Sequence, residues 1–468
     1  MRVLSLMCET NQQLFKLMTQ YSFFDGFEIR GDQMIESLDF NTLRLCCKGL
    51  LIYTCREENQ EIEQIKIDYV NALKEGFDYV DCDIESWEKL SESVIEEKER
   101  LILSYHNFND FSFSEHLLQV FEENPAGVKK IALMPHDTSD GFICLKRFER
   151  MSGKKILVLM GGMGQWSRIA YKSFDSEWSY FCLDEIAPGQ VSVQKLLSEH
   201  YPLGDKNTEI FGILGSPVEH SLSPKVHNLF FEKRDINAQY LRFPSENLSS
   251  FFYNLPDYVG RLSVTMPHKQ AVLTYCNELD LVAKSCGSVN TLKRNANGFT
   301  GYNTDALGLR FAIETRVENW QEYNLLIVGA GGVARAALSV FFEYKDRITI
   351  VNRTQEKAQY LANEFGVNFC EICDLQKLEK TIIIQATACG MGEDISTPID
   401  LELLCESSIL FETVYFPSHT PIVHHALKLG AQVIYGQDLF IAQAIEQQKI
   451  WFDGMSLDFL EMEEELAK

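Results

Sequence analysis

The sequence has no long apolar run. None of its hydrophobic stretches reaches the roughly 18 residues of a membrane-spanning helix, so we expect no membrane segment. Met1 and Arg2 lead directly into a strand-like run, without the basic and apolar regions of a signal peptide. These two features together predict a cytoplasmic protein.

Positive charge is also scarce. The chain has 43 lysines and arginines against 67 aspartates and glutamates, which gives a formal net charge of −24. A surface this acidic repels nucleic acids and anionic lipids, so we expect neither as a partner. A small anionic substrate remains compatible with the sequence if arginine and lysine are concentrated locally.

The 13 cysteines show no metal-binding pattern. Cys370 and Cys373 form the single C-x-x-C motif, and no second pair completes a zinc site. We therefore expect reduced cysteines and no bound metal.

The chain length and its periodicity indicate more than one domain. At 468 residues the chain exceeds what one hydrophobic core usually organises. Residues 1–203 alternate strand-like and amphipathic segments, which predicts a compact, closed (β/α)8 barrel. The eight strand-like segments are Val3–Cys8, Gly26–Arg30, Gly49–Cys55, Phe77–Glu85, Arg100–His106, Val128–Met134, Lys155–Met160 and Ser179–Glu185.

A second α/β region follows the polar linker Gly204–Thr208. We expect a substrate lobe over residues 209–305 and a Rossmann lobe over residues 306–435. Residues 436–468 read as helical and are expected to pack back on the substrate lobe. The predicted fold class is therefore α/β, a barrel followed by a two-lobed dehydrogenase.

Charged residues collect at the carboxyl ends of the barrel strands, where catalytic groups of such barrels lie. They are Glu28, Arg30, Arg56, Asp81, Asp83, His106 and Arg168. Lys130 shares one face of its strand with Ala132 and Met134. A lysine inside a barrel is desolvated, which favours an amine able to attack a carbonyl, and a nearby histidine supplies an acid and base. The alternatives are a solvated lysine at a strand start and a purely structural histidine.

Six segments of the first half carry a resemblance to a known family. They are residues 27–32, 53–56, 104–108, 130–135, 167–168 and 187–190. Together they resemble type I 3-dehydroquinate dehydratases over nearly all of residues 1–200. The resemblance implies that Lys130 forms an imine with the ring ketone and that His106 relays the proton during loss of water. It also implies that the carboxylate and ring hydroxyls are held by Arg30, Arg56, Arg168 and Gln190, and that Glu28 and Asp83 orient the basic groups. Ile186 departs from the family, which often has serine there.

A dinucleotide fingerprint lies in the second half. Gly329–Ala334 follows the apolar run Leu325–Val328, and a second strand, Ile348–Val351, begins 19 residues after Gly329. This is the strand, glycine turn and helix of a βαβ unit, whose helix N-terminus binds phosphates. The second strand ends at Asn352, Arg353 and Thr354 rather than at an acidic residue, which favours the 2′-phosphate of NADP over NAD. The predicted cofactor-binding residues are Gly329, Ala330, Gly331, Gly332, Val333, Ala334, Asn352, Arg353, Thr354 and Gly436.

Further polar motifs accompany the fingerprint. They are residues 221–224, 263–269, 288–291 and 303–305. Ser223 before Pro224 also fits a plain helix N-cap, and Lys269 at a turn also fits a surface charge.

With the glycine loop these motifs resemble shikimate dehydrogenase over residues 209–468. The resemblance implies that Lys269 and Asp305 are the catalytic pair for NADPH-dependent reduction of 3-dehydroshikimate. The implied substrate-binding residues are Ser221, Ser223, Thr265, Asn290, Tyr415 and Gln443. Departures from the family are Ser263, Gln385 and Glu412, where asparagine, asparagine and aspartate are common.

The two resemblances imply consecutive reactions, dehydration of 3-dehydroquinate and reduction of its product. We therefore predict a bifunctional enzyme. The alternatives are a non-catalytic metabolite sensor on the same folds and a chain in which the dehydrogenase half alone is active.

Overall fold

The computed structural model describes residues 1–56, 61–87, 89, 95–112, 114–124 and 126–467. The chain divides into two compact units, Met1–Val259 and Gly260–Lys468. Each unit has a buried apolar cluster of its own.

The first unit contains eight parallel strands that form a nearly closed barrel. Hydrogen-bonded neighbours follow the order β7-β6-β5-β4-β3-β2-β1-β8. The strands are β1 (Arg2–Leu6), β2 (Gly26–Arg30), β3 (Leu50–Thr54), β4 (Tyr79–Asp83), β5 (Leu101–Asn107), β6 (Val128–Leu133), β7 (Lys155–Leu159) and β8 (Ser179–Phe181). The backbone N–H of Glu177, just before β8, donates to the carbonyl of Lys155 on β7 at 3.0 Å. The predicted barrel is confirmed, although the ring is nearly closed rather than fully closed.

The barrel interior is layered because side chains alternate along each strand. Early inward positions are apolar and buried, as at Ile52, Ile102 and Val128. The next inward positions on the same strands are Thr54, Ser104 and Lys130, which are also buried. An apolar layer therefore supports a polar layer toward the carboxyl ends of the strands.

Eight helices accompany the barrel strands in the described part of the chain. They are α1 (Asn11–Gln20), α2 (Phe40–Cys46), α3 (Ile62–Lys74), α4 (Glu115–Glu123), α5 (Thr138–Phe148), α6 (Gly161–Gly164), α7 (Trp166–Ile169) and α8 (Val193–Ser198). The helix before a given strand is usually amphipathic, as in α4, where Leu117 and Phe121 are the buried residues.

The first unit continues with a parallel strand pair, β9 (Glu209–Gly215) and β10 (Ala238–Pro244). Helices α9 (Ser223–Lys233) and α10 (Leu248–Asn254) follow these strands. Both strands are buried almost throughout, as expected for parallel strands covered on two faces.

The second unit contains a short mixed sheet. Its strands are β11 (Val259–Val264, whose first residue is the last of the first unit), β12 (Glu278–Leu279), β13 (Thr291–Asn295) and β14 (Gly298–Tyr302). β13 pairs antiparallel with both β11 and β14, and β12 pairs parallel with β14.

A six-stranded parallel sheet follows, in the order β17-β16-β15-β18-β19-β20. Its strands are β15 (Asn324–Val328), β16 (Ile348–Val351), β17 (Asn368–Phe369), β18 (Thr381–Gln385), β19 (Ile409–Glu412) and β20 (Gln432–Ile434). This is the 3-2-1-4-5-6 order of the Rossmann fold, whose ligands bind where the order reverses, here between β15 and β18. The predicted Rossmann lobe is confirmed.

Seven helices are described in the second unit. They are α11 (Leu281–Cys286), α12 (Thr304–Arg316), α13 (Gly332–Val340), α14 (Gln355–Phe365), α15 (Pro421–Lys428), α16 (Gly436–Trp451) and α17 (Phe459–Leu466). Helix α16 contacts the short mixed sheet: the Trp451 indole N–H donates to the Leu292 carbonyl at 3.1 Å, and Gln447 accepts from Ser263 at 3.0 Å. The domain limits inferred from the sequence stay a prediction. Among the described residues, no helix combines the length and the apolar character that a membrane-spanning segment requires.

Candidate active sites

Lys130 lies at the centre of the barrel and is 6% exposed. Its Nζ lies 2.7 Å from Oδ2 of Asp81 and 4.0 Å from Oε1 of Glu28. The ring of Tyr180 lies beneath it, 4.3 Å from Nζ to the ring centroid. Because inward positions alternate along β6, Lys130 points inward, whereas Lys129 reaches the Ser152 carbonyl on the opposite side.

Asp81 is a functional candidate to which the sequence interpretation gave no role. It is fully buried, and its Oδ1 accepts a hydrogen bond from Ser104 at 2.7 Å. Burial opposes its ionisation, but the positive charges of Lys130 and Arg56 hold the pKa of Asp81 well below its usual range. The available signal was alternation, which puts Asp81 on the same inward face of β4 as Asp83.

His106 is oriented by Asp83. Its Nδ1 lies 2.8 Å from Oδ2 of Asp83, and its Nε2 lies 3.4 Å from Nη2 of Arg56. Burial lowers the pKa of His106, and the neighbouring Arg56 adds to the effect, although the Asp83 hydrogen bond opposes it. The imidazole is therefore neutral at pH 7, and an Nδ1–H donated to Asp83 leaves Nε2 as the basic nitrogen.

Glu28 and Arg30 are further charged residues of this site. Glu28 accepts hydrogen bonds from Ser5 and from Thr54, the latter at 2.9 Å. Arg30 makes a bidentate contact with Asp32 at 2.9 and 2.8 Å. Both side chains are thus held by neighbours rather than free to turn.

Arg168 is a partly buried residue on α7, and the Nε atom of its guanidinium is buried. Its Nη1 donates to the Tyr180 carbonyl at 3.3 Å, and its buried Nε has no hydrogen-bond partner among the described residues. Burial lowers the pKa of Arg168 to about 10, so the group is still protonated at neutral pH. Whereas Arg30 and Arg56 lie beside carboxylates, none lies within ion-pair distance of Arg168 in the described part of the chain. An anionic ligand would satisfy both its charge and its free donor.

Gln190 occupies the loop that follows β8. Its Oε1 accepts from the backbone N–H groups of Ile186 and Ala187, at 2.9 and 3.1 Å. Ile186 itself is 67% exposed. The amide oxygen of Gln190 therefore stabilises its own loop. Among the described residues, Gln190 makes no hydrogen bond to Lys130 or to the carboxylates around it.

Lys269 and Asp305 form an ion pair in the second unit, with Nζ 2.6 Å from Oδ2. Asp305 is in the first turn of α12, where the helix dipole favours a negative charge. The Lys269 carbonyl accepts from the Val289 N–H at 2.7 Å, which fixes the turn that carries the lysine. Both side chains are partly exposed, so the pair faces solvent-accessible space.

Asn290 anchors the polar residues around this pair. Its Oδ1 accepts from the backbone N–H of Thr304 at 2.7 Å, directly before Asp305. Its Nδ2 donates to Oε1 of Gln443 on α16 at 3.3 Å. Thr265 follows the last residue of β11 and is half-buried.

Ser221 and Ser223 lie in the first unit, with their hydroxyl oxygens 3.2 Å apart. The N-cap interpretation of Ser223 is wrong by one residue, because α9 begins at Ser223 and its cap is Leu222. Ser221 instead accepts from the Ser223 N–H at 3.2 Å, so the earlier serine satisfies a free donor of the helix start.

The glycine loop has the geometry of a phosphate-binding turn. Gly329 has a φ of 123°, and a Cβ there would lie 2.6 Å from the Ala386 carbonyl oxygen. A Cβ on Gly331 would meet nothing within 4 Å, so open space lies beside the start of α13. Arg353 and Asn352, after β16, line a neighbouring cleft of about 590 Å³ together with Cys373. Backbone donors, open space and a nearby cation fit a dinucleotide with a 2′-phosphate.

Known proteins resemble the chain over both halves. Family models match residues 3–204 as type I 3-dehydroquinase, residues 213–292 as the shikimate dehydrogenase substrate binding domain and residues 312–390 as shikimate/quinate 5-dehydrogenase. The bifunctional 3-dehydroquinate dehydratase/shikimate dehydrogenase of Arabidopsis thaliana chloroplasts is 30% identical over 430 residues, which cover 85% of this chain and 70% of that protein.

The chain belongs to the bifunctional 3-dehydroquinate dehydratase/shikimate dehydrogenase family.

Other comparisons agree with this membership. The shikimate biosynthesis protein AroDE of Chlamydia pneumoniae is 29% identical and covers 95% of this chain and 93% of its own length. A shikimate 5-dehydrogenase structure from Thermus thermophilus, in complex with NADP(H) and shikimate, aligns with a TM-score of 0.51 and 28% identity. It covers 55% of this chain and 98% of its own. The predicted bifunctional enzyme, with dehydroquinate dehydratase and NADP-dependent shikimate dehydrogenase activities, is confirmed.

Two departures from the dehydrogenase family lie side by side in the structure. Gln385 ends β18, Glu412 ends β19, and the two residues are in register. Each is buried, and each is one methylene longer than the residue common in the family. Gln385 accepts from the Thr387 N–H at 2.8 Å, and Glu412 accepts from the Val414 N–H at 2.9 Å. Each long side chain therefore holds the loop that follows its own strand.

These two loops carry further candidates. Glu412 also accepts from the Thr420 hydroxyl at 2.7 Å, so it spans residues 413–420, which include Tyr415. A Cβ at Gly436 would lie 2.7 Å from the Val414 carbonyl oxygen, so a larger residue would displace this loop. Tyr415 is 54% exposed.

Proposed function

We propose that the barrel dehydrates 3-dehydroquinate through an imine on Lys130, and that Lys269 and Asp305 carry the reduction of 3-dehydroshikimate to shikimate. The observation that carries the first assignment is an enclosed lysine beside a neutral histidine and a guanidinium that lacks a carboxylate partner. The second rests on the 2.6 Å ion pair near the start of α12.

Arg168 would bind the substrate carboxylate. Its unpartnered Nε and its charge give the anionic ligand a buried donor, which surface arginines do not offer. Arg30, Arg56 and Gln190 would contact the ring hydroxyls, and Glu28 and Asp83 would orient the basic groups.

The imine step begins with proton transfer. Nucleophilic attack needs a free amine, so the Lys130 ammonium must first release a proton. Asp81 accepts a hydrogen bond from it but holds protons weakly, whereas the neutral Nε2 of His106 is a base. Attack on the ring ketone expels its oxygen as water. The resulting iminium accepts the electron pair left when the adjacent carbon loses its proton, and a ring hydroxyl then leaves as water.

Hydrolysis of the imine releases 3-dehydroshikimate and regenerates the amine. Imine formation and elimination each release one water, and hydrolysis consumes one. Each turnover therefore releases one water in total. His106 would return the proton of the lysine to the carbinolamine oxygen, then take the proton from the adjacent ring carbon and pass it to the departing ring hydroxyl.

The dehydrogenase half would use the Lys269–Asp305 pair for proton delivery. NADPH, when bound, supplies the hydride. Lys269 donates a proton to the alkoxide oxygen that develops at the ketone, and Asp305 holds the ammonium in place. Thr265, Asn290, Tyr415 and Gln443 would bind the substrate hydroxyls, and Ser221 and Ser223 keep the carboxylate-binding role that the resemblance implies.

NADPH would be held by the glycine loop and the end of β16. Gly329 to Ala334 would present backbone donors to the pyrophosphate, and Gly436, where the Val414 carbonyl leaves no room for a Cβ, would also contact the cofactor. Arg353, with Asn352 and Thr354, would contact the 2′-phosphate.

We further propose the domain limits of the sequence interpretation, with barrel, substrate lobe with 436–468, and Rossmann lobe as three folding regions. A reducing, cytoplasmic setting is supported by the 13 cysteines, all of which are free thiols. Nucleic acid is not proposed as a partner, because the charge of −24 opposes it.

Borohydride trapping tests the central assignment. Adding borohydride with 3-dehydroquinate should reduce the imine and leave a stable adduct on Lys130, located by peptide mass spectrometry. Lys130→Ala should abolish both adduct and dehydratase turnover. Lys129→Ala is the matched control, because Lys129 lies on the same strand but faces Ser152. An adduct on another lysine, or turnover in Lys130→Ala, would remove the assignment.

A further inference from the structure

An aromatic cluster in the first unit joins the barrel to a strand of the dehydrogenase half. Phe142 and Trp166 belong to α5 and α7 of the barrel, and Phe243 and Phe251 belong to β10 and α10. The dehydratase family match ends at residue 204, whereas the match to the dehydrogenase substrate domain covers residues 213–292. The four rings therefore come from segments assigned to two different enzymes.

The cluster is closely packed and buried. Trp166 lies 5.2 Å from Phe142 and 6.2 Å from Phe243, between ring centroids, and Phe243 lies 5.8 Å from Phe142. The four side chains are between 0 and 4% exposed. Tilted and edge-on rings at these distances attract one another in addition to the apolar area that they bury.

Trp166 is two residues before Arg168 on the same helix. Helix α7 has only four residues and continues from α6 through Gln165, so few hydrogen bonds of its own fix its position. Arg168 makes one long hydrogen bond and no ion pair in the described part of the chain, so its own contacts fix it weakly. Packing around Trp166, together with the Ser167 hydroxyl that accepts from Leu159 at 3.1 Å, must therefore position the guanidinium.

A second contact holds the neighbouring rim of the barrel. The Thr138 hydroxyl donates to the Pro244 carbonyl at 2.6 Å, and Ser245 donates to Asp137 at 2.8 Å. Asp137 is the N-cap of α5, which follows the lysine-bearing strand β6. The end of β10 thus contacts two rim segments of the barrel.

We propose that Phe243, a residue of the dehydrogenase half, is a positioning residue for the dehydratase site. It holds Trp166, and through α7 it keeps Arg168 where the substrate carboxylate binds. This inference rests on the role of Arg168 proposed above.

Steady-state kinetics of the full-length Phe243→Leu variant test this inference. Since a displacement of about 1 Å at a binding group is costly, the KM for 3-dehydroquinate should rise roughly tenfold, with a much smaller change in kcat. Phe211→Leu is the matched control: Phe211 is equally buried on the adjacent strand β9 and packs against Phe231 of α9, 5.0 Å between ring centroids. Its KM should stay at the wild-type value.

A double-mutant comparison separates positioning from general damage. In an Arg168→Ala background, Phe243→Leu should cause no further rise in KM, because the group it positions has gone. Independent effects that multiply, or an unchanged KM in Phe243→Leu alone, would overturn the inference. If Arg168→Ala leaves KM unchanged, the proposed role of Arg168 fails instead.

The test has a substitute if Phe243→Leu does not fold. Trp166→Phe reduces the contact with Phe243 from the barrel side and should raise the KM for 3-dehydroquinate in the same manner. Thermal denaturation of each variant beside Phe211→Leu shows whether equal losses of stability accompany unequal changes in KM.

Discussion

At the residue scale, His106 combines two opposing influences. Burial and Arg56 favour its neutral form, and Asp83 favours the imidazolium. The first influence prevails, so the histidine is a base over the physiological range while Asp83 keeps the ring oriented through Nδ1. A group that must accept and return a proton within one turnover needs this balance.

The pH dependence of the dehydratase follows from this balance. Because the basic form is the neutral one, kcat/KM should fall as pH drops through the pKa of His106, with a midpoint below 6.5, the ordinary value. In Asp83→Asn the pKa-raising hydrogen bond is weakened, so the midpoint should move to still lower pH. Measured profiles of kcat/KM check both statements. A midpoint above 6.5, or a shift to higher pH in Asp83→Asn, would contradict them, and the dehydrogenase profile of the same variant serves as the control.

At the element scale, the loops after β18 and β19 are each anchored by the last residue of the preceding strand, and they also contact each other. Gly390 packs on Thr420, where a Cβ on the glycine would lie 2.8 Å from the Thr420 Cβ. The Thr413 hydroxyl donates to the Gln385 carbonyl at 2.7 Å. The extra methylenes of Gln385 and Glu412 therefore affect one connected pair of loops rather than two separate loops.

Glu412 is accordingly expected to support the dehydrogenase through the loop it holds. Glu412→Ala leaves the Val414 N–H and Thr420 hydroxyl without their acceptor and should lower dehydrogenase kcat/KM roughly ten- to hundredfold, since misplaced binding groups are costly. Glu412→Gln can accept from Val414 and donate to Thr420, and burial already raises the pKa of the Glu412 carboxyl, so a neutral amide should be tolerated. Rates of NADP-dependent shikimate oxidation check the series.

The exposed Glu379→Ala is the control for this series and should behave as wild type. Equal activity in Glu412→Ala and Glu412→Gln would show that the loop does not depend on this anchor.

Elements were more predictable from the sequence than contacts. All eight barrel strands follow from strand-like runs separated by amphipathic segments, because each run is visible locally, although β8 ends at Phe181, earlier than expected. The pairing of Lys130 with Asp81 depends on which residues of β4 and β6 face each other across the interior, and no local pattern encodes that. The same holds for Gln190, whose amide oxygen is used by its own loop.

At the scale of the whole molecule, the two activities should run in sequence in one assay. With 3-dehydroquinate and NADPH, the wild-type chain should oxidise NADPH and form shikimate. Lys130→Ala should do neither, yet should reduce added 3-dehydroshikimate normally. Lys269→Ala should accumulate 3-dehydroshikimate, with hydride transfer lowered roughly 10²- to 10⁴-fold, the range for loss of a proton-transfer group. Absorbance of NADPH and chromatography of the products report the outcome.

The contrary result is distinct for each half. If Lys130→Ala still forms shikimate from 3-dehydroquinate, the imine assignment is wrong. If Lys269→Ala reduces 3-dehydroshikimate at a normal rate, the proton-delivery assignment is wrong, whatever the barrel does.

The packing of Trp166 and Phe142 on Phe243 has a consequence for protein engineering. The dehydratase family match ends at residue 204, but the packing of buried apolar side chains continues across that position. A barrel that ends at residue 204 would expose the side chains of Phe142 and Trp166, and an exposed apolar patch promotes aggregation. A chimera that grafts this dehydratase onto a foreign reductase must therefore transplant residues 238–254 with it, so that Phe243 and Phe251 both accompany the barrel.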